Sequence, residues 1–293
     1  MSKKIYLNGE IVPKEEARVS VLDHGYLYGD GIFEGIRAYN GRVFKLDEHI
    51  DRLYKSAKTI MLDIPHTKDE IKEIILETIR ANNLKDAYIR LVISRGEGDL
   101  GLDPRKCPDP TVVIIASEIS LYDNQLYEKG LSVVTVPTRR NGPEMVNPRV
   151  KSLNYLNNIM ARIEANMQDA PEAIILNSQG YVAECTGDNV FIIEGNNLVT
   201  PPKFAGILEG IKRQVALNIG EQLGLNVKEE LFTRYDLFNA DEAFLTGTAA
   251  EVIPVVEVDK RQIGNGKPGK FTKEIIERFR EIARSSGTEI YSN

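Results

Sequence analysis

The chain has 293 residues, enough for two domains of ordinary size, each with its own core. Hydrophobic residues make up 42% and charged residues 27%, the balance of a soluble globular protein, and no stretch approaches the ~18 consecutive apolar residues of a membrane span. A net charge of −6 disfavours nucleic acid as a partner, because a phosphate backbone selects a basic surplus. The opening, MSKKIYLNGEIV, passes from two lysines into a strand-like pattern with no apolar signal core, so no export is expected. Cys107 and Cys185 are too few for a disulfide scaffold and read as reduced thiols of a cytoplasmic protein. Three histidines, without ligand spacing to the acids around them, give no metal site.

In chain order, Ile5 to Leu7 and Ile11 to Val12 flank Asn8-Gly9, a dipeptide that favours a two-residue hairpin turn. A second hairpin is expected from Ile32 to Tyr39, Asn40-Gly41, and Arg42 to Leu46. Asp47 is placed to cap the next helix, with Ile50, Leu53, Tyr54, Ala57, Ile60 and Met61 as its apolar face. Thr67 and Glu70 have capping-box spacing ahead of a second helix carrying Ile71, Ile74, Ile75 and Ile79. Tyr88 to Ser94 and Thr111 to Ser117 read as strands, the latter nearly all apolar and therefore central. The Gly/Pro-rich loop between them, 96–110, is long enough to be functional. Residues 119–130 are polar and irregular, an expected linker between a small α/β domain at 1–118 and a larger one at 131–293.

The second half opens with the strand LSVVTVP. Around a helix after residue 151, Leu153, Leu156, Met160, Ile163 and Met167 recur at steps of three and four, a single apolar stripe. Short strands are expected at 172–177, 181–184, 189–194 and 198–200, a helix at 210–224, strands near 226–230, 242–246 and 252–258, and a final helix at 270–285. The fold class is therefore α+β. The first half reads as an α/β sandwich and the second, rich in short strands, as a barrel-like domain.

Several residues carry chemistry. Lys151 lies where a cation-rich loop (Arg139, Arg140, Arg149, with Pro143 and Pro148) runs into that helix. A lysine held by a rigid element with its amine free to reach a cavity suits Schiff-base formation with an aldehyde cofactor, although most lysines are solvated surface charges. Tyr88 and Arg90 are two apart on one strand and face the same way, away from Ile89 and Leu91; such an arginine can bind a carboxylate or simply sit in solvent. By the same alternation Phe33, Gly35 and Arg37 share a face, an apolar wall with an opening beside it. Gly210-Ile211-Lys212 opens a helix and Thr246-Gly247-Thr248-Ala249 leaves backbone amides accessible; either can hold an anion, and neither is specific alone. Arg52 lies opposite the apolar face of its helix, which by periodicity makes it a solvated arginine.

Taken together, YGDGIFEGIRAY (28–39), YIR (88–90), the lysine region NPRVKSLNY (147–155), GYVAECTGDNVF (180–191) and GTAAEVIPV (247–255) resemble, in order, segments of the fold-type IV pyridoxal phosphate enzymes. That group, the class IV aminotransferases and their relatives, holds branched-chain aminotransferases, D-amino acid aminotransferases and aminodeoxychorismate lyase. The FEGIRAY and YIR segments are most similar to the branched-chain enzymes. The resemblance implies transfer of the amino group of L-leucine, L-isoleucine or L-valine to 2-oxoglutarate. It makes Lys151 the cofactor lysine, Glu184 the partner of the ring nitrogen and Tyr155 the partner of the ring oxygen. It gives the phosphate of pyridoxal 5'-phosphate to Arg52, Ile211, Lys212 and Thr248, though Lys212 stands where many relatives carry a hydroxyl residue. It places Tyr28, Phe33, Gly35, Arg37, Tyr88, Arg90, Thr248 and Ala249 beside the substrate. It further implies at least a homodimer, with Tyr28 and the 96–103 loop serving the neighbouring subunit.

Overall fold

The computed structural model describes residues 3–118 and 124–291; residues 119–123 of the expected linker lie outside the described residues. The chain forms two compact units, one of Met1–Ile119, Val150–Asn154 and Ala283–Asn293, the other of Ser120–Arg149 and Tyr155–Ile282.

The first unit is built on a seven-stranded antiparallel sheet. Its strands are β1 (Lys4–Leu7), β2 (Glu10–Pro13), β3 (Gly31–Tyr39), β4 (Arg42–Val43), β5 (Ala87–Ser94), β6 (Thr111–Ser117) and β16 (Thr288–Glu289), in the order β16-β4-β3-β5-β6-β1-β2. Both hairpin turns form as expected, because Asn8-Gly9 (φ 46° and 103°) and Asn40-Gly41 (φ 49° and 79°) take the left-handed conformations that a tight turn between twisted strands demands. Among the described residues, the α-helices lying wholly in this unit are α1 (His24–Tyr28), which the sequence did not announce, α2 (Leu46–Thr59) and α3 (Lys68–Ala81). One sheet face carries Ile32, Ile36, Ile89, Leu91, Ile93, Val112 and Ile114, packed with Ile50, Leu53, Ala57, Ile71, Ile75 and Ile79 of α2 and α3.

The Thr67/Glu70 capping box is formed in full. Asp47 is not a cap. The strand stops at Val43, Lys45 takes the N-cap position with φ 56°, and Asp47 sits in the first turn and pairs with Lys72. Met61 is 83% exposed, because α2 ends at Thr59 and Met61 (φ 51°) already belongs to the departing chain.

The second unit holds a nine-stranded mixed sheet: β7 (Leu131–Arg139), β8 (Ala173–Leu176), β9 (Val182–Cys185), β10 (Asn189–Glu194), β11 (Asn197–Thr200), β12 (Asn226–Glu229), β13 (Glu242–Gly247), β14 (Glu251–Val258) and β15 (Arg261–Gln262). The order is β12-β11-β10-β13-β14-β7-β8-β9, with β15 pairing β14. β9 ends this row while β10 lies within it, yet residues 186–188 alone join them. So short a connection forces the sheet to curl round, which makes the half-barrel. The α-helices are α4 (Asn124–Lys129), inside the expected linker, α5 (Leu156–Asn166), α6 (Ile211–Gln222), α7 (Arg234–Asn239) and α8 (Lys270–Ser285), the last of which counts with the first unit from Ala283 on. The sequence reading missed α7, although Thr233 and Asp236 spell its capping box.

The apolar stripe around α5 keeps its spacing but faces outward: Leu156, Met160, Ile163 and Met167 are 45–80% exposed, joined by Ile159. The buried side is Asn158, Ala161 and Ala165, against Val136, Ala173 and Ile175. Small side chains let the helix lie close to the sheet, so alanines rather than the larger residues face the core.

Candidate active site

In the first unit, Lys151 is positioned by β3 rather than by a helix start; α5 begins only at Leu156. Phe33 N–H donates to the Lys151 carbonyl at 2.9 Å, Leu153 N–H donates to the Gly31 carbonyl at 2.9 Å, and Ser152 bridges Ile32 antiparallel. β4 pairs only with the far end of β3, at Ala38 and Tyr39, which leaves the near end open to this segment. Lys151 N–H also donates to Ser56 Oγ at 3.2 Å, and its amine stands 4.4 Å from the centre of the Phe33 ring. The backbone is pinned on two sides while the side chain stays half-buried.

Strand alternation holds for the residues around it. Gly35 is opposite Arg90 and Arg37 opposite Tyr88, so Phe33, Gly35, Arg37, Tyr88 and Arg90 share one face of the sheet. The Arg90 guanidinium lies 4.5 Å from the Phe33 ring centre and 5.5 Å from that of Tyr88. The expected opening at Gly35 is filled: a Cβ there would stand 2.5 Å from the Tyr88 hydroxyl, so the missing side chain is what lets Tyr88 lie across the strand. Arg37 covers the Tyr39 ring at 5.0 Å. Tyr28, at the end of α1, donates its hydroxyl to the Leu100 carbonyl at 2.6 Å, and His24 Nε2 is 2.7 Å from the Asp99 carbonyl. The loop that follows β5 is therefore tied to α1 in the same chain, with Leu100 and Leu102 left exposed.

On the opposite face lies a group that the sequence reading passed over. Glu34 is fully buried and accepts Arg52 Nε and Nη2, one on each carboxylate oxygen at 2.8 Å, while His49 Nδ1 lies 2.8 Å from Oε2. Burial opposes charge on Glu34, but the Arg52 guanidinium and the His49 contact outweigh it and hold the carboxyl well below the usual range. Arg52 is therefore not a solvated arginine; it is 9% exposed. A signal was present: Glu34 interrupts the apolar series Ile32, Ile36, Ala38 on the core face of β3.

In the second unit, Glu184 on β9 is buried, with Arg140 Nε at 2.8 Å from Oε1. Its Oε2 accepts the Leu208 amide at 2.8 Å and Asn189 Nδ2 at 3.3 Å. Arg140 also donates to the side-chain oxygens of Asn157 and Asn158 in the first turn of α5, whose N-cap is Tyr155. Arg140, missed as a functional candidate, thus ties the Glu184 strand to the turn that carries Tyr155. Asn189 Nδ2 bonds the Leu208 carbonyl as well, fixing the approach to α6.

α6 starts with Gly210 at its N-cap and no side-chain cap, so its first amides, including those of Ile211 and Lys212, point outward along the helix axis. Lys212 is buried in that first turn, where a cation opposes the helix dipole. A Cβ on Gly210 would run into Asn189 Oδ1, and one on Gly247 into the Asp188 carboxylate. Across the β10/β13 pair, Asn189 faces Thr246, whose buried hydroxyl has no hydrogen-bond partner among the described residues. Thr248 and Ala249 follow, both half-buried, in the connection to β14. Glu184, Asn189, the α6 start and the 246–249 turn are thus linked by hydrogen bonds and strand pairing within one unit.

A family model, Amino-transferase class IV, matches residues 31–258. The putative branched-chain-amino-acid aminotransferase of Methanocaldococcus jannaschii is 52% identical over 98% of this chain and 99% of that one. The crystal structure of the Escherichia coli branched-chain amino acid aminotransferase superposes with a TM-score of 0.96 at 33% identity, covering 99% of this chain and 100% of that one. The branched-chain amino acid aminotransferase of Thermobaculum terrenum, solved in its PLP-bound holo form, gives 0.88 at 32% identity, over 97% of this chain and 94% of that one. The chain belongs to the class IV aminotransferase family and is a transaminase of the fold-type IV architecture.

Proposed function

We propose that the chain transfers the amino group of L-leucine, L-isoleucine or L-valine to 2-oxoglutarate, giving the branched 2-oxo acid and L-glutamate, with pyridoxal 5'-phosphate as cofactor. The observation that carries the reading is Lys151, its backbone pinned to β3 and Ser56 and its amine over Phe33. The residues present fit the cofactor. The uncapped α6 start and the Thr246 hydroxyl, which has no partner among the described residues, are suited to a phosphate, and the buried Glu184 to a protonated ring nitrogen.

When bound, pyridoxal 5'-phosphate supplies an aldehyde for the amine and a protonated ring that takes up electrons from the substrate Cα–H bond. Lys151 would hold the cofactor through its aldehyde, and its amine, when free, would be the group that takes the proton from the substrate Cα and returns it. Glu184 keeps the ring nitrogen protonated and Tyr155 donates to the ring oxygen. Arg52, Ile211, Lys212 and Thr248 bind the phosphate. Phe33 and Gly35 with Tyr88 receive the branched side chain, Arg37 and Arg90 the acidic side chain of glutamate, and Thr248 and Ala249 the α-carboxylate.

The test is the visible absorption of the cofactor-loaded protein. L-Leucine should abolish the band and 2-oxoglutarate should restore it, with D-alanine inert. Loss with D-alanine alone would make it a D-amino acid aminotransferase, and pyruvate release without an amino acceptor an aminodeoxychorismate lyase. We further infer a homodimer at least, in which Tyr28 and the 96–103 loop serve the neighbouring subunit. The outward α5 stripe and the exposed Leu100 and Leu102 support it. The buried free thiols Cys107 and Cys185 support a reducing, cytoplasmic setting.

A further inference from the structure

One side of α2 is polar and buried: His49, Arg52 and Ser56 follow at steps of three and four, 0%, 9% and 2% exposed. The stripe meets both β3 and the Lys151 segment of its unit. His49 and Arg52 meet Glu34 on β3, adjacent to the Gly35/Arg90 pair on one side and to Phe33 on the other. Ser56 accepts the Lys151 amide N–H. The helix face that presents Arg52 is thus the one that touches the backbone of Lys151, and Glu34 adjoins the residue whose ring lies under the Lys151 amine.

Three polar groups buried in an otherwise apolar layer are costly unless each satisfies the others. Stability alone does not call for them, since apolar residues of the same size would fill the layer at least as well. What the triad does supply is orientation. A guanidinium gripped through Nε and Nη2 by both oxygens of one carboxylate has its plane fixed, and His49 fixes that carboxylate in turn.

We propose that Glu34 and His49 are positioning residues for the cofactor phosphate. They hold the Arg52 guanidinium at one angle and keep it from swinging away from the Lys151 segment, an assignment that rests on the reading of Arg52 as a phosphate ligand. Neither residue touches the reacting atoms. Their effect is on selectivity for a phosphorylated over an unphosphorylated aldehyde.

The test compares binding of pyridoxal 5'-phosphate and of pyridoxal to the apoprotein, by absorption titration and by the melting-temperature rise each ligand causes. Wild type, Glu34→Gln, His49→Asn and Arg52→Gln are the variants. Glu34→Gln should weaken pyridoxal 5'-phosphate by roughly tenfold to a hundredfold, as expected for a lost charge-assisted hydrogen bond, and leave pyridoxal within about twofold. His49→Asn should act in the same direction but less. Because each variant is compared with itself, a general loss of fold lowers both affinities together and does not mimic the result. Glu34→Gln and His49→Asn with the wild-type ratio, while Arg52→Gln lowers it, would overturn the positioning role and leave the phosphate ligand standing. A ratio untouched even by Arg52→Gln would overturn both readings.

Discussion

Arg140 Nε lies 2.8 Å from Glu184 Oε1, with the two side chains 7% and 6% exposed. A pair this well desolvated is demanding, because removing one partner strands the other in a medium that cannot solvate it. Arg140→Met should cost about 3–5 kcal/mol in urea unfolding. Glu184→Gln, which still offers an oxygen to the Leu208 amide, should cost less. Equal losses in the two variants would show that the oxygen kept by the glutamine does not compensate for the lost charge on Glu184.

Lys151→Ala should separate chemistry from architecture. The segment is held by its backbone, through Phe33 N–H, Gly31 O and Ser56 Oγ, so unfolding free energy should stay within about 0.5 kcal/mol of wild type. Transamination should fall by at least about 10²–10⁴-fold, the usual contribution of a positioned proton-transfer group. A large drop in stability would mean that the amine is structural.

Gly35→Ala tests the strand face. The new methyl meets the Tyr88 hydroxyl at 2.5 Å, and Tyr88 can move because its ring is only half-buried. Stability should fall by about 1 kcal/mol or less. The KM for L-leucine should rise several-fold with kcat less affected, since the change is to side-chain accommodation. An unchanged KM would remove Gly35 and Tyr88 from the substrate wall.

Acid should loosen the first unit through Glu34. Its folded-state carboxyl is held far below its unfolded value of about 4.3, so its contribution to stability is complete above that value. The contribution is lost progressively as pH falls below about 4 toward the depressed folded value. Urea midpoints from pH 7 to pH 3 should therefore fall more steeply in wild type than in Glu34→Gln. Parallel curves would assign the acid sensitivity to other carboxylates.

Ile163→Asp addresses the α5 stripe. Ile163 is 45% exposed in the single chain, so the variant should fold and bind cofactor as wild type does. If a second copy covers this face, the sedimentation coefficient should drop to that of the monomer, and turnover should drop with it. A dimer that survives the substitution would place self-association elsewhere.

Local chemistry was legible at several places where the determinant lies within a few residues, although the capping box of α7 was overlooked. Asn8-Gly9 and Asn40-Gly41 supply positive φ, Thr67 with Glu70 closes its own cap, and the register of β3 and β5 follows from alternation. Asp47 failed as a cap because the strand before it ended early. Residues 150–154 pair with β3 more than a hundred positions back, so a division of the chain by linear order could not assign them to the first unit.

By itself the sequence determined the α+β composition, the hairpins and most helices, and, through the joint order of its motifs, the family. Only the tertiary structure decided which way amphipathic elements face. The α5 stripe is apolar yet outward because alanines pack closer to the sheet, and Arg52 is polar yet inward because Glu34 meets it across the layer. Periodicity records that a helix has two faces. Which of them is buried depends on the partner that the rest of the chain brings to it.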